Sequence, residues 1–268
     1  YDPDLKLKNL PDDERFTFIE GSLNDSNLSL MRTASVVFHQ AGQPGVRKSW
    51  GTDFAAYTSS NVDATQRLLE FARTMPYLKR FVYASSSSVY GEAERYPTRE
   101  NDVPAPRSPY GVTKLAAEHL CSLYAANFSV PTISLRYFTV YGPRQRPDMA
   151  FRRFIASALT GTPITIYGDG EQIREFTFVK DIVRANILAA ESHAAPGTVM
   201  NLSGGSSVSI NEVLAILREV HGERLTIQYE EEVAGDVRRT GGDSSLARDL
   251  LGWKPTVSLE DGLSQEYN

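Results

Sequence analysis

Apolar positions along the chain recur at a spacing of about two residues in some runs and about 3.6 in others, predicting strands and helices in alternation. Phe16-Thr17-Phe18-Ile19 predicts a short strand, closed by Gly21 and an Asn/Asp/Ser-rich turn. Ser35-Val36-Val37-Phe38-His39 predicts a buried strand. It runs into Gln40-Ala41-Gly42-Gln43-Pro44-Gly45, a small-residue loop of the kind that lets a ligand approach backbone closely. Residues 61–74 predict a helix with Leu68, Leu69, Phe71 and Ala72 on its inner side, and Phe81–Ala84 a strand ending in four serines, Ser85 to Ser88. After a Pro-rich loop, Ala116, Ala117, Leu120, Leu123 and Tyr124 mark the buried stripe of a long helix. Ser108 is a good N-cap for it, and Pro109 suits its first position, where a missing N–H costs nothing. Pro131–Phe138 predicts another strand, broken by Tyr141-Gly142-Pro143.

Further on, the pattern predicts a helix over 149–160, a strand over 164–167, a tight turn at Gly168-Asp169-Gly170 and a brief strand over 176–179. A helix over 181–191 follows with Asp181 as its cap, then an αβ stretch over 209–229. Asp243 is expected to cap a final helix that Gly252 ends, with Pro255 beyond. Alternation of this kind argues for βαβ units and a parallel sheet, in which ligands gather at the carboxyl ends of the strands. The loops after Phe38, Ala84 and Phe138 all fall at such ends. Without repeats or a linker, a second lobe is expected to pack tightly on the first.

Composition excludes several partners. The 268 residues are 41% hydrophobic and 23% charged, with a formal net charge of −5. A chain of this length buries a large core, as one domain or two intimate lobes. Its mildly acidic balance gives no footprint for nucleic acid. No apolar run approaches the roughly 18 residues that span a bilayer, so no membrane is expected as a partner, and the first residues do not read as a targeting signal. The single cysteine, Cys121, has no internal disulfide partner and sits among apolar helix positions, as a core thiol does. His39, His119, His193 and His221 lack metal-ligand spacing, so no metal is expected. A cytoplasmic setting fits this profile.

Candidate chemistry centres on Tyr110 and Lys114, four residues apart on one helix face. A tyrosine with a pKa of about 10 is roughly one part in a thousand ionised at neutral pH, and bringing it near 7 takes roughly 4 kcal/mol of preferential phenolate stabilisation. A neighbouring ammonium supplies stabilisation of that kind. The spacing alone occurs by chance in many helices. In isolation, Ser86 reads as a strand-end cap and Lys114 as a solvated residue.

Their surroundings decide. Phe38-His39-Gln40-Ala41, Ala84-Ser85-Ser86-Ser87-Ser88-Val89-Tyr90-Gly91, Tyr110-Gly111-Val112-Thr113-Lys114 and Arg136-Tyr137-Phe138-Thr139-Val140-Tyr141-Gly142-Pro143 occur in this order. Arg174-Glu175-Phe176, Gly235-Asp236-Val237-Arg238 and Leu251-Gly252-Trp253-Lys254-Pro255 follow. With these blocks the chain resembles an extended short-chain dehydrogenase/reductase of the NAD-dependent nucleotide-sugar epimerase/dehydratase family. The resemblance implies an α/β fold: a Rossmann-type doubly wound parallel sheet over residues 1–142 and 177–196, with a smaller α/β nucleotide-sugar-binding lobe over 143–176 and 197–268. Family members open with a strand, a Gly-x-x-Gly-x-x-Gly turn and a helix that hold the NAD pyrophosphate. This sequence has no such motif. It reads as starting after the second strand, lacking a first βαβ unit on the order of 40 residues long. Either those residues precede this sequence or the protein has lost the loop, and the intact catalytic set favours the first.

The resemblance implies catalytic roles for Tyr110, Lys114 and Ser86. It implies NAD contacts from Ser22, Leu23, Gln40, Ala41, Gly42, Asn61, Tyr110, Lys114 and Tyr137. Substrate contacts are implied for Ser87, Ser88, Thr139, Arg146, Arg174 and Arg238, the arginines at the UDP phosphates, which their charged forks suit. Two departures are Ser22, where the family usually has Asp near the adenine, and Gly42, where Ala is usual. A homodimer paired through the Tyr110 and Asn61 helices is implied as well.

The implied reaction begins with Tyr110 taking a proton from a sugar hydroxyl as its carbon gives a hydride to NAD, with Ser86 holding the same oxygen. Family dehydratases and decarboxylases usually carry an acid within the Ser/Thr segment, whereas Ser85 to Val89 contains none. A 4-keto intermediate is then expected to survive, rotate and be reduced from its other face, which is 4-epimerisation. Thr139 stands where glucose/galactose epimerases commonly have Asn, and residues 142–150 and the opening Tyr1–Lys6 resemble UDP-glucuronate 4-epimerases. Ser87, Ser88 and Thr139 offer neutral donors to a sugar carboxylate, although each also reads as a strand-end cap. UDP-glucuronate is thus the expected substrate. UDP-glucose or UDP-N-acetylglucosamine epimerisation, a family decarboxylase or dehydratase, and a nucleotide-sugar-binding protein without NAD are the alternatives.

Overall fold

The computed structural model describes residues 7–204, 206–221, 225–232 and 236–267. The opening Tyr1–Lys6 and Gly235, which carry part of the family resemblance, lie outside these residues. In the first half the chain forms β1 (Val36–His39), α1 (Phe54–Tyr57), α2 (Ala64–Ala72), β2 (Arg80–Ser86), α3 (Pro109–Phe128), β3 (Thr132–Tyr137) and β4 (Thr139–Tyr141). Then come α4 (Ala150–Thr160), β5 (Ile164–Tyr167), β6 (Ile173–Phe178), α5 (Val179–Glu191), β7 (Thr198–Leu202) and β8 (Ser206–Ser209). The chain continues through α6 (Ile210–His221), β9 (Ile227–Glu230), α7 (Ser245–Leu251) and α8 (Leu259–Tyr267).

A parallel sheet in the order β1-β2-β3-β7 forms the larger lobe. Its central strand β2 is buried along its whole length, as a parallel strand covered on both faces must be. Adjacent side chains on a strand point to opposite faces, and here each face meets its own helices. Phe81 and Tyr83 pack with Leu68 and Leu69 of α2 and with Ala117, Cys121 and Tyr124 of α3. On the other face Val82, Ile133 and Met200 pack with Ile182 and Ala185 of α5, Ala247 of α7 and Trp253. The sheet is therefore doubly wound.

The smaller lobe pairs β4 parallel with β6 and β6 antiparallel with β8, and has a separate β5-β9 ladder. Its core gathers Tyr141, Phe151, Phe154, Phe176, Leu214 and Leu263. As anticipated, Ser108 caps α3, its Oγ accepting the Gly111 N–H at 3.1 Å, and Pro109 opens the helix. Cys121 is buried in the core, where burial pushes its thiol pKa up.

The structure corrects several expectations. Phe16–Ile19 forms no strand among the described residues, and Phe18 and Ile19 face solvent; β-prone residues become a strand only where a ladder partner is alongside. The single helix expected over 61–74 is composite, with a π-helical turn over Thr58–Asp63 between α1 and α2. Asp181 lies inside the first turn of α5 and does not cap it. Its carboxylate turns outward to accept the N–H groups of Thr256 (2.9 Å) and Val257 (3.2 Å) and the Thr256 hydroxyl (2.7 Å). Ser244 is the N-cap of α7, one residue after the expected Asp243, which instead accepts the Ser245 N–H at 2.9 Å. Nor is α7 the final helix, since α8 follows it.

The lobe boundary expected at residue 197 fails. Thr198–Leu202 pairs with β3 from Ile133↔Thr198 to Tyr137↔Leu202, and α7 and Trp253 pack on the same sheet. The apolar run of β7 has two faces to bury, and only the larger lobe offers cover for both. Trp253 is fully buried and its indole N–H donates to the Asp181 carbonyl at 2.8 Å, so it locks the segment after α7 onto α5. Trp253→Ala should lower the unfolding free energy by about 3–5 kcal/mol, the usual cost of emptying so large a core position, as read by chemical denaturation.

Candidate active site

The carboxyl ends of β1, β2 and β3 meet the first turns of α3, and the expected catalytic residues come together there. Ser86 ends β2 and caps a 3-10 turn, its Oγ accepting the Ser88 N–H at 3.2 Å. Burial raises the Tyr110 pKa; the neighbouring Ser86 hydroxyl and the positive charge of Arg146 pull it back, while Tyr57 opposes them. The Tyr57 ring packs edge-on against Tyr110 with centroids 6.2 Å apart.

Lys114 is buried, and its ammonium sits over the Tyr83 ring, 4.5 Å from the centroid. Burial lowers its pKa from 10.5 to about 8, partly offset by the negative charge of Glu118. The expected direct tuning of the phenol by Lys114 is thus not the arrangement in the protein alone: the cation acting on Tyr110 is that of Arg146, and Lys114 rests on an aromatic face, where a desolvated ammonium is held by the ring's quadrupole.

The loop after β1 is exposed through Gln40, Ala41 and Gly42. Gln40 Nε2 donates to Tyr137 Oη (3.1 Å) and to Asn186 Oδ1 (2.9 Å), and the Tyr137 hydroxyl shares the Asn186 oxygen at 2.9 Å. Burial pushes the Tyr137 pKa up to about 12, against the bonds from Gln40 and Asn186. Asn61, expected to face the dinucleotide, points inward instead and is 2% exposed. Its Oδ1 accepts the Gln43 N–H at 2.6 Å, and its Nδ2 donates to the Gln43 carbonyl (3.1 Å) and the Thr113 hydroxyl (2.9 Å). Its amide is engaged in holding the loop against α3. The same contact explains the departure at Gly42: a Cβ there would lie 2.8 Å from Asn61 Oδ1, an atom that its hydrogen bond holds in place. Ser22 and Leu23 lie in a turn that Asn24 ties to Ser59, where Arg67 Nη1 donates to the Leu23 carbonyl and the Ser22 hydroxyl accepts the Asn24 N–H at 3.2 Å.

Ser87, Ser88 and Thr139 line a cleft of about 170 Å³ with Arg107, Arg174 and Asp236. Arg174 donates backward to the Ile173 carbonyl at 2.9 Å, and burial lowers its pKa. The other two expected arginines do not line this cleft. Arg146 is paired with Asp148 at 3.0 Å, and Arg238 forms an exposed fork with Asp169 at 2.7 and 3.0 Å. Two arginines escaped the sequence reading. Arg107 lies on the cleft wall and pairs with Glu92 at 3.3 Å. Arg47 follows the β1 loop, stacks over the Tyr167 ring at 4.4 Å and pairs with Asp236 at 2.7 Å across the two lobes. Neither belongs to a block that carries chemistry, so only the fold could reveal them. Among the described residues no group of three or more His, Cys, Asp and Glu is placed to hold a metal, and no helix is long and apolar enough to cross a membrane.

The model of the NAD dependent epimerase/dehydratase family matches residues 4–203. The chain is 44% identical over 266 residues to an uncharacterized UDP-glucose epimerase, YtcB, of Bacillus subtilis, covering 98% of this chain and 84% of that protein. It is 36% identical over 280 residues to a UDP-glucuronate 4-epimerase of Thermodesulfobacterium geofontis, covering 100% and 84%. Among solved structures, UDP-glucuronic acid 4-epimerase from Bacillus cereus, in complex with UDP-glucuronic acid and NAD, superposes with a TM-score of 0.93 at 44% identity, over 98% of this chain and 83% of that one.

The Lys114 environment has a consequence for stability. Its pKa in the folded protein, about 8, lies below the ordinary 10.5. Between these values the unfolded chain binds the proton that the folded one has lost, so stability rises with pH across that window. Denaturant titrations should show the parent gaining about 1–3 kcal/mol over Lys114→Met between pH 8 and 10.5, and no change in their difference below pH 7.

Proposed function

This chain belongs to the NAD dependent epimerase/dehydratase family, and on that premise we propose that it catalyses NAD-dependent 4-epimerisation of a UDP-sugar, with UDP-glucuronate as substrate and UDP-galacturonate as product. The observation that carries this reading is the acid-free strand end. Ser86, Ser87 and Ser88 present hydroxyls there, and Asp236, the carboxylate among the described cleft-lining residues, is paired with Arg47. Among the described residues the strand end itself places no carboxylate for an elimination at C5, so a 4-keto sugar formed in this cleft has return to the alcohol as its exit.

The residues present fit a dinucleotide at the open edge of this cleft: Gln40-Ala41-Gly42 offer exposed backbone with little side chain at the carboxyl end of β1, beside the buried Lys114. Those four residues and Tyr110 would hold the nicotinamide end, with Ser22 and Leu23 toward the adenine. When bound, NAD supplies a hydride acceptor that also returns the hydride. Tyr110 takes the proton of the sugar's 4-hydroxyl at its Oη and gives it back after the ring has turned. Ser86 donates to the same sugar oxygen and holds it in line, and the positive charge of Arg146 favours the phenolate.

A 4-keto uronate is a β-keto acid and loses CO₂ when its carboxylate leaves the plane that protects it. Ser87, Ser88 and Thr139 would pin that carboxylate with neutral hydroxyls, and Arg174 and Arg107 would face the diphosphate. The parent should convert UDP-glucuronate to a mixture with UDP-galacturonate without releasing CO₂, as followed by NMR of the nucleotide sugars. Turnover of UDP-glucose or UDP-N-acetylglucosamine in its place would overturn the substrate assignment. Tyr110→Phe should lower kcat by at least about 10²–10⁴-fold while leaving UDP affinity unchanged in calorimetry.

Val112, Leu123 and Phe128 leave apolar surface exposed on α3, which supports a homodimer paired through α3 and α2. Light scattering on the purified protein should return twice the chain mass.

A further inference from the structure

Behind the serine run lies a buried ion pair that the chemistry above does not use. Glu118, one turn beyond Lys114 on α3, and Arg136 on β3 are 2% and 3% exposed. Arg136 donates through Nε (3.0 Å) and Nη2 (2.6 Å) to the two carboxylate oxygens. The Ser85 hydroxyl donates to Glu118 Oε2 at 2.6 Å. The other arm of the guanidinium, Nη1, donates to Tyr90 Oη at 2.6 Å, and that hydroxyl donates on to Asn201 Oδ1 of β7 at 2.8 Å. Asn201 Nδ2 then donates to the carbonyls of Thr98 (3.1 Å) and Asp243 (3.3 Å).

The location of this set matters more than its strength. Ser85 directly precedes Ser86, and it lies opposite Arg136 in the β2–β3 register. Glu118 lies on the helix that carries Tyr110 and Lys114. One carboxylate therefore ties that helix to two neighbouring strand ends, with three donors fixing its two oxygens. A helix advances about 1.5 Å per residue and turns through about 100°, so any slide or rotation of α3 against the sheet alters the gap between Tyr110 and Ser86. Misplacement of reacting groups by roughly 1 Å costs on the order of 10²-fold in rate.

We infer that Glu118, Arg136 and Ser85 are positioning residues for the reaction proposed above, on which this inference rests: their buried fork sets the separation between the Tyr110 phenol and the Ser86 hydroxyl. A pair serving stability alone would be replaceable, since buried ion pairs exchanged for apolar residues of similar volume often leave stability unchanged or raise it.

That contrast supplies the test. The double variant Glu118→Leu/Arg136→Met and the single variant Ser85→Ala are compared with the parent on the UDP-sugar that the parent turns over. The double variant should keep its thermal transition and its UDP affinity, with KM within about threefold and kcat lower by about 10–100-fold. Ser85→Ala, which removes one arm of the fork and leaves the ion pair in place, should lose about 3–10-fold in kcat with KM unchanged. A folded double variant with kcat within about threefold of the parent overturns the inference, as does Ser85→Ala at parental kcat where the double variant fails to fold. Crystal structures of the variants give a readout independent of turnover: the Tyr110–Ser86 separation should differ from the parent's by more than about 0.5 Å, and an unchanged separation overturns the inference. A parent inactive on every UDP-sugar overturns the proposed reaction instead, and the crystallographic separation then decides the positioning role by itself.

Discussion

Burying a guanidinium and a carboxylate together between a sheet and a helix is the most demanding constraint in this molecule. Each ion loses several kcal/mol of hydration, and mutual attraction recovers that only when geometry is good and the remaining polar atoms are satisfied. Arg136 and Glu118 meet both conditions through the bidentate fork, the Ser85 hydroxyl and Tyr90. Burial works against the arginine's charge, but Glu118 and Tyr90 raise its pKa above the ordinary value. Satisfying these atoms recruits β2, β3, β7, α3 and the Thr98 loop, so the elements that carry the candidate chemistry are brought into register by the need to hydrogen-bond one pair.

The larger lobe was legible in the sequence because its signals are local. Apolar runs at the positions of β1, β2 and β3, the Ser108 cap and the Pro109 start of α3 each point to the element that forms, and the Tyr110–Lys114 spacing needed only the right helix. Pairing was not legible. Thr198–Leu202 falls between the predicted elements, and its place as a strand of the larger lobe is decided by which neighbour covers both of its faces. The same holds for side-chain direction. Asn61 looks like a ligand-facing amide until its three hydrogen bonds show it spent on the backbone of Gln43 and on Thr113. Arg47 and Arg107 carry no signal at all, because an isolated arginine is most often a surface residue and only the fold brings these two to the cleft.

Charge around the cleft is arranged in mutually engaged pairs. Arg47 with Asp236, Arg107 with Glu92, Arg146 with Asp148 and Arg238 with Asp169 each join a fork to a carboxylate that is at least partly exposed. Such solvent-screened pairs contribute little, and a phosphate competes well for a fork so weakly held. The carboxylates keep the arginines extended and oriented, which lowers the ordering cost of a ligand's arrival. The contrast with Arg136 is one of depth: the same fork chemistry is fixed where it is buried and exchangeable where it is wet.

The chain passes between its two lobes after Tyr137, after Phe178, after Leu202, before Ser245 and again after Trp253. No single linker therefore separates them, and Asp181 with Trp253 fastens the last return. Neither lobe can be excised as one continuous piece of sequence, nor exchanged for that of a relative by a single crossover. Diversification of substrate use in such an architecture has to proceed by side-chain and loop replacement within an inherited framework, and a break at any one crossing still leaves the two halves laced together by the others.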